Sequence, residues 1–227
     1  MKPHHFYKIL LGICMLCSYT VRAQVTLKNW TIEDHSANAR IVVSEDTFDI
    51  TAPKGFTLWY NQRLSGQYEI RYRVKVLMQG GQYDRLSDMN CFWAASDPLN
   101  PQNLFARSKW RNGIFQHYKT LNLFYVGYGG NNNSTTRFRQ YFGTSAETDD
   151  LKARPVIKEY TDKRHLLLPN QWYDIRICVM KDNTSYYVNE EELFRLPIKG
   201  NTCDGHFGLR LMGNHVLFTD FHARTIE

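Results

Sequence analysis

Two arginines, Arg137 and Arg139, lie two positions apart in residues 135–141. Side chains alternate between the two faces of a β-strand, so a strand here would place both arginines, Thr135 and Tyr141 on one face. A guanidinium group binds a carboxylate through two parallel hydrogen bonds. The spacing therefore predicts a clamp for a carboxylate-bearing ligand. The alternative is a pair of surface arginines balanced by acids on neighbouring strands.

Groups that can transfer protons lie close to these arginines in sequence. His117 and Tyr118 precede an apolar segment that starts at Leu121, and Tyr125 lies within that segment. A nearby cationic clamp would favour a neutral imidazole or a phenolate, the forms that accept a proton. A base of this kind beside a neutralised carboxylate could carry out β-elimination. The predicted catalytic residues are His117, Tyr118, Tyr125, Arg137 and Arg139. The alternative for His117 is an ordinary hydrogen-bonded histidine.

Further residues have the chemistry to contact a sugar. Amides bind hydroxyl groups, and flat aromatic rings complement the C–H face of a pyranose. The predicted substrate-binding residues are Trp93, Trp110, Tyr128, Asn131, Asn133, Tyr141 and Arg210. A purely structural asparagine turn and burial of at least one tryptophan are the alternatives. The glycines at 127–130 precede no helix that could hold a phosphate, which argues against nucleotide binding.

Carboxylates are not spaced as in retaining glycoside hydrolases. The nearest cluster, residues 190–192, follows Asn189 and is predicted to be a solvated turn. A hydrolase is therefore disfavoured, although carboxylates brought together by the fold would restore it. Asp84, Asp88 and Asn90 could offer oxygen ligands to calcium, but their spacing matches no compact calcium loop. We assign no metal site and predict no cofactor.

The elements that must position these residues are β-strands. Residues 68–76 alternate apolar and charged side chains, and similar patterns occupy residues 41–50, 172–180, 185–188, 207–212 and 216–221. Strands at this spacing predict an all-β sandwich or barrel. Residues 149–163 are charged and poorly patterned, so they are predicted to form a long loop at the rim.

The N-terminus has the features of a secretory signal peptide. Lys2 and Lys8 precede a short apolar run, and Ala23 ends a small-residue cleavage site. We predict cleavage after residue 23 and one domain over residues 24–227, exported to the periplasm or the cell exterior as a monomer with no membrane span. The net charge then falls from +6 to +3, which gives no argument for nucleic-acid binding. Three cysteines remain, an odd number, and Cys91 and Cys178 are predicted to be buried thiols.

Three segments together resemble the concanavalin A-like lectin/glucanase superfamily. They are Phe56-Thr57-Leu58-Trp59-Tyr60-Asn61 leading into residues 66–72, Gln171-Trp172-Tyr173-Asp174-Ile175-Arg176, and His206-Phe207-Gly208-Leu209-Arg210 followed by residues 218–221. The resemblance covers nearly all of residues 24–227. It implies a two-sheet antiparallel jelly-roll β-sandwich.

Residues 121–139 are also similar to a smaller, uncharacterised bacterial family associated with genes for the use of rhamnogalacturonan and other pectins. This resemblance implies an acidic polysaccharide or oligosaccharide as ligand, and it carries over no catalytic residue. Our leading hypothesis is a polysaccharide lyase that cleaves at a uronate by β-elimination. The alternatives are a non-catalytic carbohydrate-binding protein that uses the same residues and, third, a glycoside hydrolase.

Overall fold

Twelve β-strands build the part of the chain that the computed structural model describes, residues 27–144, 149–199 and 203–226. They are β1 (Trp30–Asp34), β2 (Arg40–Ser44), β3 (Thr47–Tyr60), β4 (Tyr68–Val76), β5 (Met89–Ser96), β6 (Asn122–Gly129), β7 (Thr135–Phe142), β8 (Val156–Tyr160), β9 (Tyr173–Val179), β10 (Asn183–Val188), β11 (Glu191–Pro197) and β12 (His206–Thr225). These strands pair antiparallel with their neighbours. The predicted signal peptide lies outside the described residues.

In the described residues, helical structure is limited to short segments in the connections. The α-helical turns are α1 (Ser108–Arg111), α2 (Gly130–Asn133) and α3 (Asp150–Ala153), and the 3₁₀ turns are Leu27–Asn29, Leu104–Arg107, Phe115–Thr120 and Lys163–His165. The described residues contain no helix with the length and apolarity needed to cross a membrane.

Two long strands, β3 and β12, belong to both layers of a sandwich. The C-terminal half of β12 pairs with β4, whereas its N-terminal part pairs with β5, and β3 follows it through both halves. One layer therefore runs β11-β10-β9-β4-β12-β3-β2, and the other runs β8-β7-β6-β5-β12-β3-β1. We call them the first and second layers. The strand changes layer where the register shifts between Met212 and Asn214, and Gly213 supplies the positive φ of 62° there.

Aromatic side chains fill the space between the layers. Nε1 of Trp93 on β5 donates a 2.9 Å hydrogen bond to Oγ1 of Thr184 on β10, which joins the second layer to the first. The Trp93 ring stacks on Phe138 and on Tyr186. Alternation along β5, β6 and β7 sends every second side chain into this core and leaves the others on the outer face of the second layer.

Residues 104–120, here called the cover segment, pack on part of that outer face. Their contacts form a second apolar cluster, made of Trp59, Phe92, Ala95, Leu104, Tyr118, Leu121, Leu123 and Tyr141. The fully buried Arg111 pairs with buried Glu33 of β1 at 2.7 Å and donates to the carbonyl oxygen of Leu104. A buried ion pair tolerates little displacement, so it fixes the cover segment against the second layer.

Three details of the strand prediction were wrong. Residues 41–50 are divided between β2 and β3, because Glu45 adopts a left-handed turn conformation between them. Residues 207–212 and 216–221 belong to one strand, β12. Residues 149–163 contain α3 and the edge strand β8, which pairs with β7, and so they are not an unstructured loop. The buried, unpaired state of Cys91 and Cys178 matches the prediction.

Candidate functional site

A cavity of about 350 Å³ opens on the outer face of the second layer, beside the cover segment. Its floor consists of side chains that alternate away from the core on β5, β6, β7 and β12. Its lining residues are Asp88, Asn90, Phe115, Gln116, Lys119, Tyr125, Gly127, Gly130, Asn131, Thr135, Arg137, Arg139, Tyr141, Arg154, Arg210 and Met212. Thr135, Arg137, Arg139 and Tyr141 thus share one face, as the strand alternation predicts.

One row of directly opposed residues crosses six strands at the floor of this cavity. From β3 to β8 the row reads Thr57, Arg210, Asn90, Gly127, Arg137 and Glu159. Opposed residues point to the same side of a sheet. The row therefore places Arg210 and Arg137 on one surface, with an amide and a glycine between them.

Arg210 is a buried cation at the cavity floor, at 2% exposure. Its Nη1 donates to the carbonyl oxygen of Gly113 at 2.9 Å and to Oγ1 of Thr57 at 3.4 Å. Its guanidinium lies 5.2 Å from the ring centre of Tyr118. Burial lowers the pKa of Arg210 from its ordinary value. Among the described residues, no carboxylate lies within ion-pair distance of Arg210, which is unusual for a buried charge.

Three arginines gather at the other side of the cavity, and we call Arg137, Arg139 and Arg154 the arginine cluster. Arg137 forms an ion pair with Glu159 of β8. Arg139 donates from Nη1 to the carbonyl oxygen of Arg154 at 2.6 Å. Arg154 is 1% exposed and follows α3. The segment predicted to be a rim loop therefore supplies a cation that sequence analysis missed.

Tyr125 lies beside Gly127 on β6 and directly opposite Arg139 on β7. A Cβ atom at Gly127 would approach the Tyr125 hydroxyl to 2.8 Å, so the glycine leaves the space that the tyrosine occupies at the floor. We expected the arginines to favour a phenolate. The structure corrects this, because burial raises the pKa of Tyr125 and the nearby Tyr141 hydroxyl raises it further. Tyr125 is therefore a neutral hydrogen-bond donor.

Tyr118 and His117 do not line the cavity. Tyr118 belongs to the second apolar cluster, and its hydroxyl donates to Oε2 of Glu33. Burial raises the pKa of Tyr118, which again opposes the expected phenolate. The His117 ring stacks on Trp110 with 4.0 Å between ring centres. Nδ1 of His117 lies 2.7 Å from the carbonyl oxygen of Trp110. These contacts place His117 away from the arginines that it was expected to assist.

The asparagine turn α2 serves mainly to hold the local backbone in place. Asn131, Asn132 and Asn133 all have positive φ, a conformation that asparagine tolerates better than other residues with side chains. The Asn133 amide bonds both backbone groups of Leu167, at 2.8 and 2.9 Å. Asn131 lines the cavity and lies within 3.4 Å of the Thr135 hydroxyl. Asn131 therefore keeps its predicted position in the site, whereas Asn133 anchors a loop.

Three aromatic candidates lie outside the cavity. Trp93 is fully buried between the layers, where its ring cannot reach a ligand. Tyr128 points to the core side of β6 and packs on Tyr173, and burial raises its pKa. Trp110 is 44% exposed. The Arg107 guanidinium lies 4.8 Å from the centre of its ring, and the His117 ring also stacks on it. The aromatic rings that do line the cavity are those of Phe115, Tyr125 and Tyr141.

Basic side chains outnumber acidic ones among the described residues that line the cavity. Five basic side chains line it, those of Lys119, Arg137, Arg139, Arg154 and Arg210, against one acidic side chain, that of Asp88. Asp88 is engaged by Arg85 at 2.7 Å and by the Ser87 hydroxyl at 2.8 Å. A glycoside hydrolase of the usual kind needs two carboxyl groups across the scissile bond, and the described lining offers one. The cavity is thus suited to an anion.

Of the suggested calcium ligands, Asp84 and Asp88 accept hydrogen bonds from protein donors, whereas Oδ1 of Asn90 has no hydrogen-bond partner among the described residues. Asp84 accepts hydrogen bonds from the backbone of Gln79 and Gly81, and Asn90 donates to Asp88 at 3.3 Å. In the described part of the chain, no group of three or more histidine, cysteine or acidic side chains is arranged to hold a metal ion.

The fold and the cavity define an antiparallel β-sandwich with a cationic site on one outer face. The chain belongs to the family described as a domain of unknown function, DUF6250, whose model matches residues 50–221. No curated protein sequence matches the chain at a significant level.

Solved structures share this architecture at low sequence identity. A Bacillus subtilis protein of unknown function with a galectin-like fold matches with a TM-score of 0.66 and 15% identity, over 88% of this chain and 90% of that one. The carbohydrate-binding module CBM66 from Bacillus subtilis matches with a TM-score of 0.54 and 12% identity, over 87% and 96%. A legume lectin-like domain from Entamoeba histolytica matches with a TM-score of 0.52 and 12% identity, over 88% of this chain and 92% of that one. These similarities confirm the predicted antiparallel jelly-roll fold.

Proposed function

We propose that this protein binds an acidic saccharide in the arginine-lined cavity. The observation that carries the proposal is Arg210, a buried cation at the cavity floor with no carboxylate at ion-pair distance among the described residues. A buried charge is stabilised by a partner of opposite sign, and a ligand carboxylate would supply that partner. Arg139 offers a second guanidinium group on the same floor.

The rest of the lining supports a sugar rather than a small inorganic anion. Phe115, Tyr125 and Tyr141 present aromatic surface, and the amides of Asn90, Gln116 and Asn131 can bind hydroxyl groups. Sites for organic ligands combine apolar walls with a few placed polar groups in this way. Structural neighbours described as a carbohydrate-binding module and a lectin-like domain use the same fold.

The ligand class we propose is a uronate-containing polysaccharide of the pectin or rhamnogalacturonan type. The similarity of residues 121–139 to a family associated with pectin-utilisation genes supports this choice, and that segment contains β6 and the first five residues of β7. Export after cleavage of residues 1–23 belongs to the same proposal, since a polysaccharide is met outside the cytoplasm. One domain over residues 24–227, acting as a monomer, completes it.

Calorimetric titration with pectic oligosaccharides and with their carboxyl-reduced forms tests this function. We expect the acidic forms to bind and the reduced forms to lose about tenfold or more in affinity, because charge-assisted hydrogen bonds contribute about 1.5–3 kcal/mol each. Arg210→Met should weaken binding similarly, whereas Arg195→Gln, on the exposed β11 of the first layer, should not. Equal binding of acidic and reduced saccharides would overturn the proposal.

A second candidate function is β-elimination at a uronate. It is favoured by the direct opposition of Tyr125 and Arg139, because Arg139 can bind the uronate carboxylate and the neutral tyrosine can donate its proton to the leaving oxygen while water takes the proton from C5. No histidine is among the described lining residues, so binding without catalysis agrees better with the geometry. Ultraviolet absorbance of an unsaturated uronate during incubation with pectic substrates would establish the lyase, provided that Tyr125→Phe abolishes it. Binding without any absorbance change would exclude elimination on those substrates.

A further inference from the structure

The row of opposed residues across the cavity floor has an arginine at two positions and two uncharged residues between them. Arg210 and Arg137 lie in the same row, with Asn90 and Gly127 between them. Adjacent strands lie about 4.8 Å apart, so three strand spacings put the two arginine Cα atoms about 14 Å from each other. Tyr125, in the next row, is also uncharged.

The two guanidinium groups lean away from each other. Arg210 donates to Thr57 on β3 and to Gly113 of the cover segment, both on the side away from β5. Arg137 pairs with Glu159 on β8, on the opposite side. The partners of the two guanidinium groups therefore hold them toward opposite sides of the cavity floor. One carboxylate, which must lie about 3 Å from each donor, cannot contact both.

Arg139 and Arg154 extend the charge at the β7 end, whereas Arg210 is the one arginine at the β12 end among the described lining residues. Lys119, the remaining cation, lies on the cover segment and not on the floor. The floor thus alternates from cationic to neutral to cationic across the strands.

We infer that the cavity binds a linear oligosaccharide across the strands, with one acidic residue at Arg210, a second at the arginine cluster and an uncharged sugar between them over Asn90 and Gly127. This inference rests on the proposed function and specifies its ligand as a chain in which acidic and neutral residues alternate. A ligand with one acid group occupies either end but not both.

The first test needs no variant. The protein is titrated with oligosaccharides from an alternating uronate–neutral polysaccharide that carry one or two uronates, and with an all-uronate oligosaccharide of equal length. We expect the second uronate to raise affinity about tenfold or more, because the second contact forms within an already bound ligand. The all-uronate chain should bind less tightly than the alternating chain with two uronates, since its middle carboxylate has no cation beneath it.

Variants then assign the ends. Arg210→Met and Arg139→Gln should each lower the affinity for the two-uronate ligand to that for the one-uronate ligand, and each should change the one-uronate affinity much less. Thermal melting checks that both variants are folded, and Arg195→Gln serves as the control for charge removal outside the cavity.

Two outcomes contradict us in different ways. If one-uronate and two-uronate ligands bind equally and both variants weaken them equally, the cavity has a single anion site, and the inference is wrong while the proposed function stands. If no acidic saccharide binds at all, the proposed function fails and the inference fails with it.

Discussion

Nη1 of Arg210 donates a 2.9 Å hydrogen bond to the carbonyl oxygen of Gly113. Arg210 belongs to β12, at the centre of the second layer, and Gly113 belongs to the cover segment. The bond therefore ties the cation at the cavity floor to the segment that forms the cavity wall. Changes that displace the cover segment should alter the ligand site even when they touch no ligand.

Gly113 is the most direct place to test this connection. It has a φ of 71°, and an added Cβ would lie 2.3 Å from the Gly55 carbonyl oxygen and 2.6 Å from the His35 nitrogen. Gly113→Ala should destabilise the protein and weaken acidic-saccharide binding. Gly66→Ala is the matched control, because Gly66 also has a positive φ, of 68°, but open space around it. We expect urea unfolding to show a loss larger by at least about 1 kcal/mol for Gly113→Ala, and equal losses would contradict the crowding argument.

Glu33→Gln tests the buried ion pair that holds the cover segment. Arg111 and Glu33 both have fully buried side chains, so neutralising Glu33 leaves Arg111 with only the more distant carboxylate of Asp97, 3.9 Å from its Nη1, which already pairs with Arg107. Breaking such a pair costs about 3–5 kcal/mol. Glu191→Gln removes a partner from the exposed pair with Arg164 and should cost less than about 1 kcal/mol. Denaturant unfolding of both variants is the measurement, and a loss below about 1 kcal/mol for Glu33→Gln would refute the expectation.

Thr184→Val tests the hydrogen bond between the two layers. The substitution keeps the side-chain shape but leaves Nε1 of the buried Trp93 without its acceptor. An unsatisfied buried donor costs about 1–3 kcal/mol. Thr31→Val, which removes an exposed hydrogen bond to Asn61, provides the comparison and should change stability by a few tenths of a kcal/mol. Equal stability of Thr184→Val and the unaltered protein would show that the bond contributes nothing net.

Asp84 should make stability depend on pH in the acidic range. Backbone N–H groups of Gln79 and Gly81 hold the pKa of this carboxyl below its ordinary value, with help from His215. A carboxyl whose pKa is lower in the folded state stabilises the protein above the unfolded pKa, and this contribution is lost as the pH falls through the folded value. The stability difference between the unaltered protein and Asp84→Asn should therefore be largest near neutral pH and shrink below about pH 4. Urea unfolding of both proteins at neutral pH and below about pH 4 measures this stability difference. A difference that grows on acidification would contradict the assignment.

Gly127→Ala should weaken ligand binding with little loss of stability. Its φ is not in the left-handed region, and the atom that a Cβ would approach most closely, at 2.8 Å, is the hydroxyl at the far end of the Tyr125 side chain. The tyrosine must move into the cavity to make room, and the ligand then loses floor space. We expect roughly a tenfold loss of affinity for acidic saccharides by calorimetry, with a nearly unchanged melting temperature. Unaltered affinity would show that the ligand does not reach this part of the floor.

The local sequence pattern was sufficient to predict the part of the cavity floor that β7 forms. Alternation along β7 correctly placed Arg137, Arg139 and Tyr141 on one face, and the closeness in sequence of Tyr125 to these arginines corresponds to the pairing of β6 with β7. Both relationships depend on neighbouring residues alone.

The remaining site residues depend on contacts between distant segments. Arg154 reaches the cavity because β8 pairs with β7 after a charged stretch that carries no strand periodicity. His117 and Tyr118 were placed by their nearness in sequence to β6, but the cover segment turns them toward Trp110 and Glu33. The expectation of a phenolate at Tyr125 was wrong for a different reason. The burial of a side chain cannot be read from its residue type, and burial raises the pKa of Tyr125 by more than the nearby arginine lowers it.

The placement of β12 has a consequence for how the protein is made. This strand follows the other eleven in chain order, yet it lies in the middle of both layers and contacts β3, β4 and β5. While a ribosome is still synthesising residues 206–225, both layers lack an interior strand, and the edges of β3, β4 and β5 that β12 will cover are unpaired. Exposed edges of this kind favour pairing with other chains. The nascent chain should therefore need protection from aggregation until β12 has emerged, and its folding should be slow, since nearly every strand pairing of β12 spans a long stretch of sequence.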